Sequence, residues 1–281
     1  MSEYQYYEFV TLERLLTAKE QDALRAVSSR AEITPTRFRN EYNFGDFRGD
    51  AAKLTARYFD AHLYFASWGT RRLMLRLPTD VVAAKSLNPY FAGDSARVSG
   101  TGQQVIVDLR SEEEGADYDE AEDGLLASLT PLRTELKCGD FRAAYLAWLL
   151  VVQAGEVDGE ATEPPVPPGL SDLTAAQRAM VDFLRIDPVL VSAAAAESPA
   201  LIDDSAAFRR WVRALAPRDK EQWLERAIND SELRLGPELL GAFRRQTKTP
   251  PSNPGRSAAA LLTIADEMRE RRARRPRRAA R

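Results

Sequence analysis

The chain has 281 residues, 39 basic against 42 acidic side chains, a net charge of -3 and 44% apolar residues. The apolar share excludes wholesale disorder, and the length suits one or two domains, each able to bury a core. One cysteine, Cys138, excludes a disulfide framework or a cysteine-rich zinc site, and one histidine, His62, excludes two-histidine metal centres such as HExxH.

Along the chain, Tyr4 to Leu12 is rich in aromatic and β-branched residues and reads as the first strand. Thr17 stands three residues before Glu20, a capping-box spacing, and opens a helix with Leu24 and Val27 on its apolar stripe. Thr34-Pro35 resets the backbone to an extended form, and Arg37 to Phe44 alternates as a strand should. Asp50 caps a short helix carrying Leu54, Tyr58 and Phe59. Leu63 to Trp68 and Arg72 to Leu77 form a hairpin around Gly69-Thr70, and a second hairpin joins Ala96–Ser99 to Gln103–Leu109. This order predicts an α+β domain over 1–110: an N-terminal antiparallel sheet with helices, with a ferredoxin-like layout as its nearest simple template.

Residues 111–123 carry eight acids and no base, and same-sign blocks of this kind stay solvated, so an acidic loop is expected there. An all-α helical region follows over 124–248. Leu125, Leu129, Leu132 and Leu136 lie on a core-facing stripe, and the nearly apolar FRAAYLAWLLVVQA predicts a central buried helix. The proline-rich segment 164–169 reads as a stiff connector at a hinge or subdomain edge. Short amphipathic helices are expected near 173–185, 187–196, 204–215, 217–228 and 237–246. Residues 249–281 supply a linker, a terminal helix and an Arg-rich tail, with eight arginines against the single Glu270 over 269–281.

Three groups of residues could carry function. Between Arg30 and Arg76 there are nine bases against five acids. Arg37, Arg39, Arg71, Arg72 and Arg76 with Trp68 are the components of a nucleic-acid or partner surface, where rings stack and guanidinium groups hold phosphates. The competing reading places Tyr6, Phe9, Phe38 and Leu63 under helices, with Arg71 and Arg72 paired to Glu8 or Asp60. In the tail, Arg271, Arg272, Arg274, Arg275, Arg277 and Arg278 would bind phosphates electrostatically, or else begin a charged helix. Finally, Asp46, Asp50 and Asp60 near His62 could hold Mg²⁺ or Mn²⁺ through oxygen ligands. Asp50 as a helix cap and His62 as a strand residue explain the same letters. Neither GxxxxGK[ST] nor GxGxxG occurs, and no GxSxG elbow is present, so no cofactor is expected.

The phrases EYQYYEF, SSRAEITPTRF, GDFRGD and WGTRRLMLRLP resemble those of an uncharacterised family of bacterial proteins from high-GC genomes. The resemblance covers about the first 170 residues, including PPVPPGL, and implies a bacterial cytoplasm; it brings no catalytic residue with it. No apolar run approaches the ~18 residues of a membrane helix, and MSEYQYYEF lacks the features of a signal peptide. The expectation is a soluble, cytoplasmic, non-enzymatic adaptor acting on another protein, without a membrane. RNA or DNA binding, and an enzyme with a carboxylate/His site, stand as alternatives.

Overall fold

A computed structural model describes residues 4–79, 82, 84–113, 124–201, 203–229, 235–247 and 255–274. The acidic loop beyond Glu113 and Arg275, Arg277 and Arg278 lie outside the described residues.

The N-terminal half alternates strands and short helices: β1 (Gln5–Val10), α1 (Ala18–Val27), β2 (Glu32–Ile33), β3 (Arg37–Tyr42), α2 (Ala51–Arg57), β4 (Ala61–Ala66), β5 (Arg71–Pro78), α3 (Ala84–Leu87), β6 (Ala96–Thr101) and β7 (Gln104–Ser111). The strands form one sheet in the order β2-β3-β1-β4-β5-β7-β6, antiparallel throughout. The first four strands, in the order β2-β3-β1-β4 with α1 after β1 and α2 after β3, follow the ferredoxin-like template, and β5, β7 and β6 extend the sheet beyond β4. Here α1 crosses over to β2, which runs parallel to β1 because both are antiparallel to β3, the strand between them. Local sequence sets α1 as read: Thr17 and Glu20 form the reciprocal capping box.

Helices dominate the second half: α4 (Leu125–Leu129), α5 (Pro131–Lys137), α6 (Arg142–Gln153), α7 (Ala175–Phe183), α8 (Pro188–Ala195), α9 (Ser205–Ala214), α10 (Pro217–Asn229), α11 (Leu235–Thr247) and α12 (Ala258–Arg274). The leucine stripe is split between α4 and α5, because Pro131 sits at the first position of α5 and cannot continue α4. Residues 142–152 of α6 are all buried, as its apolar sequence requires.

Alternation along the strands divides the core in two. One face (Tyr6, Leu63, Leu73, Leu75, Leu77, Val105, Val107, Leu109) packs under α4–α8, in a core that also takes Leu261 and Ala265 of α12. The opposite face carries Phe9 and Phe38, closed by Leu24 of α1, Leu54 of α2 and Phe59. The change of element type near residue 111 therefore separates strands from helices without dividing the main core.

The proline segment is no exposed hinge. Pro164, Val166, Pro167 and Gly169 are buried, and Tyr90 donates its hydroxyl to the Pro165 carbonyl at 2.7 Å. Proline brings apolar surface and no N–H, so such a segment can be buried with few donors left to satisfy. Gly69, at the β4–β5 turn, has φ +104°, and a Cβ there would lie 1.9 Å from the Glu113 carbonyl oxygen. Among the described residues, no helix is long and apolar enough to cross a membrane.

Candidate functional site

The arginines that the sequence groups together are dispersed by the sheet. Arg37 and Arg39 lie on the β3 fringe of the face that the C-terminal helices cover elsewhere. Arg37 pairs with Glu32 at 2.8 Å and approaches Glu8 at 3.9 Å; Arg39 pairs with Glu41 and sits over the Tyr6 ring. Arg72 points from the other face and grips Asp108 through two hydrogen bonds of 2.7 and 2.6 Å. Arg71, its neighbour in sequence, turns the opposite way and donates to the Phe183 carbonyl. Neither Arg71 nor Arg72 takes the partner foreseen for it, Glu8 or Asp60. Trp68 is 45% exposed, with its indole N–H on Thr70.

An open cleft of about 630 Å³ is lined by Arg72, Arg97, Arg110, Asp94, Asp108 and Glu156, among others. Its charges are engaged internally: Arg97 with Asp94, Arg110 with Glu112, and Glu156 with Ser95. A polyanion would meet four carboxylates and three guanidinium groups there. In α12, Arg271 and Arg274 pair with Glu267 and Glu270 one turn back, and Arg272 reaches Ser192. The described start of the tail is thus a charged helix laced by i,i+4 pairs.

The carboxylates around His62 have separate structural duties. Asp50 caps α2 and Asp46 accepts from Gln5. Asp60 is fully buried and saturated. It accepts from the Leu12 and Glu13 amides at 2.6 and 3.1 Å and from Arg76 at 2.9 Å, with Arg133 of α5 at 3.5 Å. Burial works to raise its pKa, but Arg133, the Leu12 amide and Arg76 outweigh it and hold the carboxyl below its ordinary value. Among the described residues, no group of His, Cys, Asp and Glu side chains is placed to hold a metal ion.

His62 is enclosed on the sheet, 3.9 Å from the Phe9 ring centroid, with Nδ1 2.9 Å from the Glu8 carbonyl and Nε2 buried without a partner. Nδ1 therefore donates and the ring is neutral. Burial pushes its pKa down to about 3. Because it is the one histidine in the chain, its ring shifts give an isolated NMR probe, and no titration is expected between pH 4.5 and 8 (window set by the ordinary value of about 6.5). The unfolded chain binds this proton below about pH 6.5 while the folded chain does not, so His62 should cost about 1.4 kcal/mol of stability per pH unit as pH falls toward 3. A titration midpoint near 6.5 in the folded protein would contradict this burial.

The C-terminal helices present a different kind of surface. The apolar face of α9 is spent on α11: the Phe208 and Trp211 rings lie 5.6 and 5.8 Å from Phe243, and the Trp211 indole donates to Gln246 at 2.7 Å. In turn α11 is locked to α5. Glu238 pairs with Lys137 at 3.1 Å, Arg244 donates to the Cys138 carbonyl, and a Cβ at Gly241 would come within 2.6 Å of the Lys137 carbonyl oxygen. Next in the chain, α10 is tied to the end of α9 by Lys220, which donates to the Arg213 carbonyl, and none of its thirteen residues is buried. Leu224 and Ile228, one turn apart, are 58% and 81% exposed, and Trp223 beside them lies under Arg226 at 4.7 Å. Three turns of amphipathic helix normally bury their apolar stripe; this one is held out.

The sequence signals α10 as an amphipathic helix but does not single out Trp223, Leu224 or Ile228. The pattern that exposes them is the same one that would bury them. Family models, curated proteins and solved structures yield no match to the chain.

Proposed function

We propose that the protein is a non-enzymatic adaptor that acts through protein–protein contacts, with α10 as its docking element. The observation that carries this reading is the exposed Leu224–Ile228 pair on a helix with no buried residue, tied by Lys220 to the end of α9, which itself packs on α11. Exposed apolar side chains are common singly, but an unburied amphipathic helix on a fixed base is the form that helix-mediated recognition takes. A bacterial cytoplasmic setting fits the same reading.

The test is affinity purification of the full-length chain from its native cells. Wild type should recover a stoichiometric partner protein, and Leu224→Ser/Ile228→Ser should lose it. A wild-type chain that stays monomeric and alone counts against the proposal, as does a partner retained by the double variant.

Nucleic-acid binding is the second reading. It is favoured by Tyr7, Tyr64, Arg72 and Arg110, aligned across four strands of one sheet face. The pairing of Arg72 with Asp108 and of Arg110 with Glu112 ranks it lower. A salt-sensitive gel shift that weakens on deleting 269–281 would support it, and no shift at low salt would remove it.

A further inference from the structure

Building on the docking role of α10, we infer that the occupant of this face is an amphipathic helix of a partner protein, apolar along one stripe and basic along its rim. At 3.6 residues per turn, Glu221 and Glu225 are one turn apart and run alongside Leu224 and Ile228 on one flank. Both carboxylates are exposed, and among the described residues neither has an ion-pair partner. The contrast with α12 is direct, since Glu267 and Glu270 there are neutralised by Arg271 and Arg274.

The bases closest to the stripe are occupied internally. Lys220 donates to the Arg213 carbonyl at 2.8 Å, closing the end of α9, and Arg226 lies over Trp223. Arg218, at the start of α10, is the basic residue left on the acidic flank. The face therefore offers two apolar anchors bordered by two unneutralised carboxylates. On that flank a phosphate backbone or an anionic lipid surface would meet like charge. A helix with aliphatic anchors at i and i+4 and Lys or Arg beside them would match both the anchors and the charge.

The test uses the full-length chain and two rhodamine-labelled model amphipathic peptides, one of Leu and Lys and one of Leu and Glu, followed by fluorescence anisotropy at about 150 mM salt. Wild type should bind the Leu/Lys peptide at least about tenfold more tightly than the Leu/Glu peptide. Leu224→Ser/Ile228→Ser should weaken that binding by about tenfold or more, and Glu221→Lys/Glu225→Lys should invert the preference. All four positions are exposed, so circular dichroism should show each variant folded.

Residues 112–123 are also acidic, so Leu/Lys binding that survives both double variants overturns the inference. Preference for the Leu/Glu peptide, still dependent on Leu224 and Ile228, overturns the basic rim but leaves α10 as a docking element. Failure of both peptides overturns the inference, while the purification from native cells decides the adaptor reading separately. A wild-type dimer converted to monomer by Leu224→Ser/Ile228→Ser would replace the partner helix with a second copy of this chain.

Discussion

Asp60→Ala should destabilise the chain by about 3–5 kcal/mol, the cost of leaving a buried ion pair with one member. Asp60 is 0% exposed and lies where the sheet meets the helical layer, within reach of Arg76 from β5 and Arg133 from α5. Arg133 also pairs with Glu13, which holds Lys137, which in turn pairs with Glu238 of α11. Removing the Asp60 carboxylate strands two guanidinium groups that are themselves at most 11% exposed, and releases the Leu12 and Glu13 amides. Asp60→Asn should lose less than Asp60→Ala, because the amide oxygen can still accept. Urea unfolding followed by fluorescence measures both, and a loss below about 1 kcal/mol for the alanine variant would contradict a desolvated network.

The same carboxylate sets a pH dependence. Its folded pKa is depressed, so its contribution is present above the ordinary carboxylate value of about 3.9 and is lost as pH falls below it. His62 works in the same direction at higher pH, from about 6.5 downward. Stability should therefore decline in two stages on acidification, first through the histidine and then through Asp60.

Glu163→Ala should cost a comparable 3–5 kcal/mol, but its effect should fall on α12. Glu163 is 1% exposed and takes both nitrogens of the Arg256 fork at 2.8 Å, together with the Tyr145 hydroxyl. Burial, then the neighbouring Glu163 charge, raises the Tyr145 pKa, so the phenol stays protonated and donates. Arg256 leads directly into α12, whose first turn is tied by the Ala258 and Ala259 amides to the Ala161 and Gly159 carbonyls. Hydrogen exchange of the Glu163→Ala variant should show α12 losing protection before β4, β5 and β7. Simultaneous loss in α12 and those strands would mean that α12 is not anchored through this pair.

Element types were legible because their signals are local. The capping box at Thr17, the apolar run of α6 and the turn at Gly69 depend on neighbours in sequence. The β2-β3-β1-β4 order is that of the ferredoxin-like template, whereas the attachment of the second hairpin to β5 through β7 is a non-local choice that no local signal sets. Period-two alternation already implies that Arg71 and Arg72 cannot share a face, a signal the composition of Arg30–Arg76 obscured. The partner of Arg72, Asp108, lies 36 residues on, and no local rule links them. Pro164–Gly169 misled because proline marks both exposed connectors and buried segments poor in donors. For α10, only the tertiary arrangement shows that its stripe is left uncovered.

Docking through α10 is the central claim, and a photo-crosslinking residue placed at position 228 of the full-length chain in its native cells tests it most directly. A discrete adduct with one protein is expected there, absent when the probe stands at the exposed position 48 and lost when Leu224→Ser is added. Identical, non-specific adduct patterns from positions 228 and 48 would contradict it.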